Sequence, residues 1–178
     1  MKHLPSDLPV CDPALAVAMR AALRAGAIIR SATGDPAALQ VREKQPNDLV
    51  TQVDLACEHA IVQTLLQAWP QHAVRSEESA RPHGNAASDH VWIVDPLDGT
   101  TNFVHGYPHV GVSIALAVHG RIEQAVILDV VAGDLYHATR GQGAFCGTHR
   151  LRVSPCRDLD AALLSTSCPL HQIGRAHV

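Results

Sequence analysis

The chain has 178 residues, enough for one domain, or one domain and part of another. Its formal net charge of −3 excludes a general affinity for nucleic acid. An apolar fraction of 47%, carried mainly by Ala, Val and Leu with only 3% aromatics, excludes disorder and predicts a core of small aliphatics.

Five cysteines, at positions 11, 57, 146, 156 and 168, are odd in number and contain no C-x-x-C pair. They predict reduced thiols in a cytoplasmic protein, not a disulfide framework or a zinc site. No apolar run approaches the roughly 20 residues of a membrane span, and residues 1–10 lack a signal-peptide pattern. His105 and His109 have i, i+4 spacing, but Gly106 and Pro108 between them argue against a shared helix face, so they read as surface or substrate-edge residues rather than ligands.

Asp12-Pro13 reads as an N-cap followed by an N1 proline, opening a helix that runs to about Arg30. Gly34-Asp35-Pro36 breaks it, and residues 39–41 suggest a short strand. Residues 43–48 read as a polar loop. A second amphipathic helix follows, with Cys57, Ile61, Leu65 and Trp69 on one face, Pro70 as its stop and Asp54 as an N-cap candidate. Residues 73–76 predict a short strand ending at Glu77-Glu78-Ser79; in extended chain the two glutamates point to opposite sides, so only one can face a given site. Residues 81–90 are rich in turn formers and read as a loop.

Residues 91–94 form an apolar run with the pattern of a buried strand. Asp95-Pro96-Leu97-Asp98-Gly99-Thr100-Thr101-Asn102 follows. Pro96 lacks an N–H, so the ladder is expected to end there. Gly99 and Thr100 read as a turn or helix start whose backbone N–H groups suit a phosphate. Two carboxylates three positions apart suit a hard divalent cation. Together they suit metal-assisted hydrolysis of a phosphate ester. Beyond Asn102, strands are expected at 111–118, 122–130 and 135–139, with turns at His119-Gly120, residues 132–134 and residues 141–143, and a closing strand at 151–153. An antiparallel meander against two helices gives an α+β layered sandwich.

The string D-P-L-D-G-T-T-N resembles the signature of the inositol monophosphatase family, the lithium-sensitive, Mg²⁺-dependent phosphatases. So do N-D-L-V-T-Q-V-D at 47–54, E-E-S at 77–79, F-V-H-G-Y-P-H-V-G-V-S-I-A-L and A-T-R-G-Q-G-A-F. The resemblance spans about residues 14–167 and is nearest to bacterial members of the extragenic-suppressor type. It implies that Glu77, Asp95 and the Leu97 carbonyl hold a first Mg²⁺, and that Asp95 and Asp98 hold a second. Water activated by the cation is then the nucleophile, oriented by Glu77 and Thr100. Asp54 hydrogen-bonds Thr100 or assists a further metal, the Gly99 and Thr100 N–H groups cradle the phosphate with Asp98 also binding the substrate, and Glu78 supports the site from behind or serves a third, weaker Mg²⁺. The implied substrate is a small phosphorylated polyol, inositol 1-phosphate first, and the full-length protein a cytoplasmic homodimer. Fructose bisphosphate, histidinol phosphate and nucleotide 3′-phosphates are alternatives, as is a non-catalytic role as a partner of RNA polymerase and the antitermination machinery.

Family members carry a further C-terminal domain with another metal-binding aspartate in a W-D-x-A-type motif, which this sequence lacks. Residues 1–160 therefore read as a metal-binding α+β domain and 161–172 as the start of a second one, with a strand from 161 to 166. Residues 173–178 match one reading frame of a short-read sequencing adapter and are expected to be foreign. On this reading the 178-residue chain is a fragment, expected to be inactive and to expose apolar surface.

Overall fold

The structure is a computed structural model that describes residue 5 and residues 11–33, 41–45 and 48–164. Helix α1 spans Pro13–Ala32, with the Asp12 side chain accepting from the Ala14 N–H at its start. Strands β1 (Val41–Gln45) and β2 (Asp48–Thr51) pair as an antiparallel hairpin. The expected polar loop over 43–48 is thus largely strand; Gly34-Asp35-Pro36 and residues 39 and 40 lie outside the described residues.

Helix α2, Gln52–Ala68, is capped by Thr51 rather than by Asp54. The Thr51 hydroxyl accepts from the Val53 and Asp54 N–H groups, and Asp54, at the third helical position, reaches back to the Thr51 N–H at 2.9 Å. T-x-x-D is a capping box with aspartate in place of the usual glutamate, which frees the other Asp54 oxygen for use elsewhere. Cys57, Ile61 and Leu65 are buried on one face of α2 as expected.

One eight-stranded sheet holds the rest. Its strands are β3 (Ala73–Ser76), β4 (His83–Gly84), β5 (His90–Asp98), β6 (Gly111–Val118), β7 (Arg121–Asp129), β8 (Asp134–Thr139), β9 (Gly143–Cys146) and β10 (His149–Arg150). The order is β10-β9-β8-β7-β6-β5-β3-β4, antiparallel except for β3 beside β5. The expected turn at His119-Gly120 is present, with both residues at positive φ (50° and 76°), the geometry that joins twisted strands in two residues. The run closes at β10, so residues 151–153 are not the strand the sequence suggests. Nor is a strand present at 161–164: a 3₁₀ turn occupies Leu159–Ala161, and residues 165 and 166 lie outside the described residues.

Alternation along the strands decides the layers. Val112, Ile114 and Leu116 on β6, Val126 and Leu128 on β7 and Leu135 on β8 are buried in one core with α1 and α2. Trp92 is wholly buried there, and its indole N–H donates to His72 Nδ1 at 3.1 Å. The opposite sheet face carries no helix from the described residues. Across it runs the register Ile93, Ala115, Ala125, Ala138, Ala144, and next to that row Ile127 is half exposed.

Candidate functional site

The site forms where β5 ends. Its ladder does not stop at Pro96: Asp95 pairs with Ser113 and Asp98 with Gly111, with a register shift between them. Residues three apart on a regular strand face opposite sides. The shift inserts an extra residue, and it falls where proline cannot donate to the ladder. Asp98 therefore registers with Gly111 just as Asp95 does with Ser113, two residues apart on β6, and both carboxylates address the same side. Pro96 and Leu97 are buried beneath them.

Glu77 arrives from the neighbouring strand. β3 runs parallel to β5 with Ser76 opposite Val94, and the Glu77 N–H bonds the Val94 carbonyl at 3.1 Å. That register sets Glu77 beside Asp95, near enough for each carboxyl group to feel the other's charge. Burial, then the charges of Glu77 and Asp98, push the Asp95 carboxyl up to about 7. Glu77 and Asp98 are exposed, and Glu78 is half buried.

The fourth part is a threonine held from below. Gly99, at φ 90°, turns the chain into the short helix α3, Thr100–Val104, whose start has no side-chain cap. A Cβ on Gly99 would lie 2.9 Å from the His109 carbonyl oxygen, so both conformation and space require glycine. The Thr100 hydroxyl lies 2.9 Å from Asp54 Oδ1 and 3.2 Å from the Leu97 carbonyl oxygen. Both are acceptors, so the hydroxyl proton is directed inward and the oxygen's lone pairs remain for a donor from outside. Asp54 is wholly buried, and its other oxygen is held by Thr51.

Glu77, Asp95, Asp98, the Leu97 carbonyl, Gly99, Thr100 and Asp54 thus come from α2, β3, β5 and α3 to one end of the sheet. Among the described residues, no three His, Cys, Asp or Glu side chains form a ready set of metal ligands. The donor chemistry nevertheless fits a hard divalent cation: all the oxygens are carboxylate or carbonyl, and the upward push on Asp95 marks negative charge without a countercharge. His105 and His109 are both exposed and in different conformations, as their sequence context suggests. A cavity of about 370 Å³ beside Asp98 and Gly99 is lined further by Asn102, His109, Asp129 and Tyr136.

Sequence reasoning missed three features. The bulge that co-orients Asp95 and Asp98 has its signal in Pro96. The capping box is readable as T-x-x-D. A contact set joining Glu58, His83 and Ser79 has no local signal, because its members lie on three elements.

A layered α+β fold with paired carboxylates and an Asp-held threonine at the sheet end defines a scaffold with an oxygen-rich site suited to a hard cation. The profile of the inositol monophosphatase family matches residues 11–176, and the chain belongs to that family. It is 45% identical over 157 residues to a protein of Escherichia coli (strain K12) named Nus factor SuhB, covering 88% of this chain and 58% of that protein. The protein of the same name from Pseudomonas aeruginosa is 46% identical over 159 residues, covering 89% and 59%. Among solved structures, the extragenic suppressor protein suhB from Bartonella henselae superposes with a TM-score of 0.79 at 41% identity, covering 82% of this chain and 56% of that one. Inositol monophosphatase from Anabaena (Nostoc) sp. PCC 7120 does so with a TM-score of 0.67 at 32% identity, covering 80% and 50%. The chain therefore spans less than three-fifths of the length of these relatives. Among the described residues, no helix is long and apolar enough to cross a membrane.

Proposed function

We propose that the full-length protein hydrolyses phosphate monoesters with Mg²⁺, inositol 1-phosphate being the first substrate to test. The observation that carries this reading is the Thr100 hydroxyl, held by Asp54 and the Leu97 carbonyl next to the Glu77–Asp95–Asp98 carboxylates. Glu77, Asp95 and the Leu97 carbonyl would hold one cation, and Asp95 and Asp98 a second. Bound there, Mg²⁺ would offset phosphate charge and lower the pKa of water.

The chain's own residues do the remaining work. Asp54 and the Leu97 carbonyl keep the Thr100 proton turned inward, so Thr100 Oγ1 accepts from the attacking water and aims it. Glu77, exposed at the end of β3, takes a proton from that water. The Gly99–Thr100 turn presents backbone N–H groups to the phosphate, and Glu78 steadies the Glu77 segment. Proton-transfer groups of this kind contribute about 10²–10⁴ in rate. The test is phosphate release from inositol 1-phosphate by the full-length protein, with and without Mg²⁺; no release at millimolar Mg²⁺ overturns the reading. Inhibition by millimolar lithium would support it further.

A second reading is supported by the relatives named Nus factor. In it the protein is a partner of the transcription machinery and catalysis is incidental. Binding to purified RNA polymerase by the wild type and equally by Asp98→Asn, together with absence of phosphate release, would favour this reading over the first.

A further inference from the structure

Glu58 lies one helical turn beyond Asp54 on α2, so the two carboxylates share a helix face. Glu58, like Asp54, is buried, at 7% exposure. Its Oε1 lies 3.3 Å from His83 Nε2, and the same nitrogen lies 3.0 Å from the Ser79 hydroxyl oxygen. A carboxylate only accepts, so the ring carries its proton on Nε2 and shares it between the two oxygens. His83 is the first residue of β4, paired with Val74 of β3. The segment from 77 to 82 is therefore the connection between two paired strands, and its base is tied by Ser79 to His83 and by His83 to α2. At its other end the Glu77 N–H is fixed to Val94.

We propose that His83 is a positioning residue that, with Glu58 and Ser79, sets where Glu77 stands relative to Asp95. The inference rests on the metal-dependent reading above. One face of α2 then indexes both halves of the site. Asp54 holds the Thr100 end, and Glu58, through His83 and Ser79, holds the Glu77 end. Asp54 and Glu58 stand one turn apart on α2, so the Thr100 end and the Glu77 end of the site are referenced to the same helix. Outer contacts of this kind govern cation affinity because they remove freedom from the groups that bind.

The test uses the full-length protein, with Mg²⁺ binding followed by titration calorimetry and thermal melting followed in parallel. His83→Ala is expected to weaken Mg²⁺ binding about tenfold, within the range typical of outer-shell partners. His83→Gln, whose amide can donate to both Glu58 and Ser79, is expected to recover most of that loss. Ser79→Ala, which removes one hydroxyl and leaves the His83–Glu58 contact, is the variant least able to disturb folding, and it should weaken binding in the same direction by a smaller factor. Arg81→Ala, an exposed change in the same connection, should bind as wild type. If wild type binds Mg²⁺ and His83→Ala and Ser79→Ala bind equally well, the inference fails and the phosphatase reading stands. If His83→Ala loses affinity only in proportion to a lowered melting temperature, and glutamine does not rescue it, the residue is merely structural and the inference fails. If wild type binds no Mg²⁺ and releases no phosphate, both fall.

Discussion

Thr100 and Asp54 are 46 residues apart in the chain and 2.9 Å apart in space, hydroxyl to carboxylate. The contact joins the first turn of α2 to the first residue of α3. It depends on the capping box, which takes one Asp54 oxygen for Thr51 and leaves the other for Thr100. Thr100→Val keeps the shape and deletes the hydroxyl. It should lower kcat of the full-length enzyme by about 10²-fold or more with little change in KM, whereas Thr100→Ser should keep most activity. Asp54→Ala should in addition cost about 1–3 kcal/mol of stability, because it leaves a buried N–H and hydroxyl without an acceptor. Urea melts separate the two effects; a Thr100→Val enzyme at wild-type turnover would remove the threonine from the mechanism.

Gly99 is the least replaceable residue of the turn. At φ 90° any L side chain is strained, and the Cβ would meet the His109 carbonyl at 2.9 Å. Gly99→Ala should destabilise by roughly 1–3 kcal/mol and depress turnover, since the turn that carries Thr100 has to move. Equal melting temperatures and rates for Gly99→Ala and wild type would show that the turn relaxes freely.

Much of this site was legible because its residues are contiguous. D-P-L-D-G-T-T-N carries both carboxylates, the turn and the threonine in eight positions, and α1 and the β6–β7 turn follow from Asp12-Pro13 and His119-Gly120. What escaped the sequence was set by pairing. Pro96 reads as the end of β5; instead β6 continues alongside, and the ladder absorbs the proline as a bulge. Residues 43–45 look polar enough for a loop, yet β2 gives them a partner. Asp54 passes for an N-cap until Thr51 is seen to precede it with its hydroxyl on the Val53 and Asp54 N–H groups. The tie from Glu58 to His83 needs α2 and β4 to meet, which no local pattern encodes.

Cys57 tests the packing of α2 on α1. Its thiol is wholly buried, lies 3.5 Å from the Ala25 carbonyl oxygen, and is pushed up to about 12 by burial and by Asp54. Thiolate is the reactive form, so at pH 8 Cys57 should resist iodoacetamide in the folded protein while exposed Cys156 reacts. Peptide mapping by mass spectrometry reads both. Labelling of Cys57 as fast as Cys156 without denaturant would mean that the helix pair opens readily.

The carboxylate cluster gives the most direct prediction of what the site is for. Asp95 sits between Glu77 and Asp98, and burial plus those two charges oppose its ionisation. Without a cation this is a cost to the fold; with one it becomes a source of binding. Asp95→Asn removes the central charge while keeping the shape and one acceptor. The metal-free variant should therefore melt a few degrees above wild type, the shift that roughly 1 kcal/mol produces in a domain of this size. Adding Mg²⁺ should raise the melting temperature of wild type and leave Asp95→Asn nearly unmoved. Asp98→Asn, at the exposed edge of the same cluster, relieves less repulsion and should change the metal-free melting temperature little. It should nonetheless lower phosphate release by at least about a hundredfold, beyond what loss of an outer contact does. The two aspartates are thus separable: one dominates the metal-free stability and the cation response, and the other shows mainly in turnover. A drop in metal-free melting temperature for Asp95→Asn, or an Mg²⁺ response equal to wild type, would mean that the cluster is a structural carboxyl pair and not a cation site.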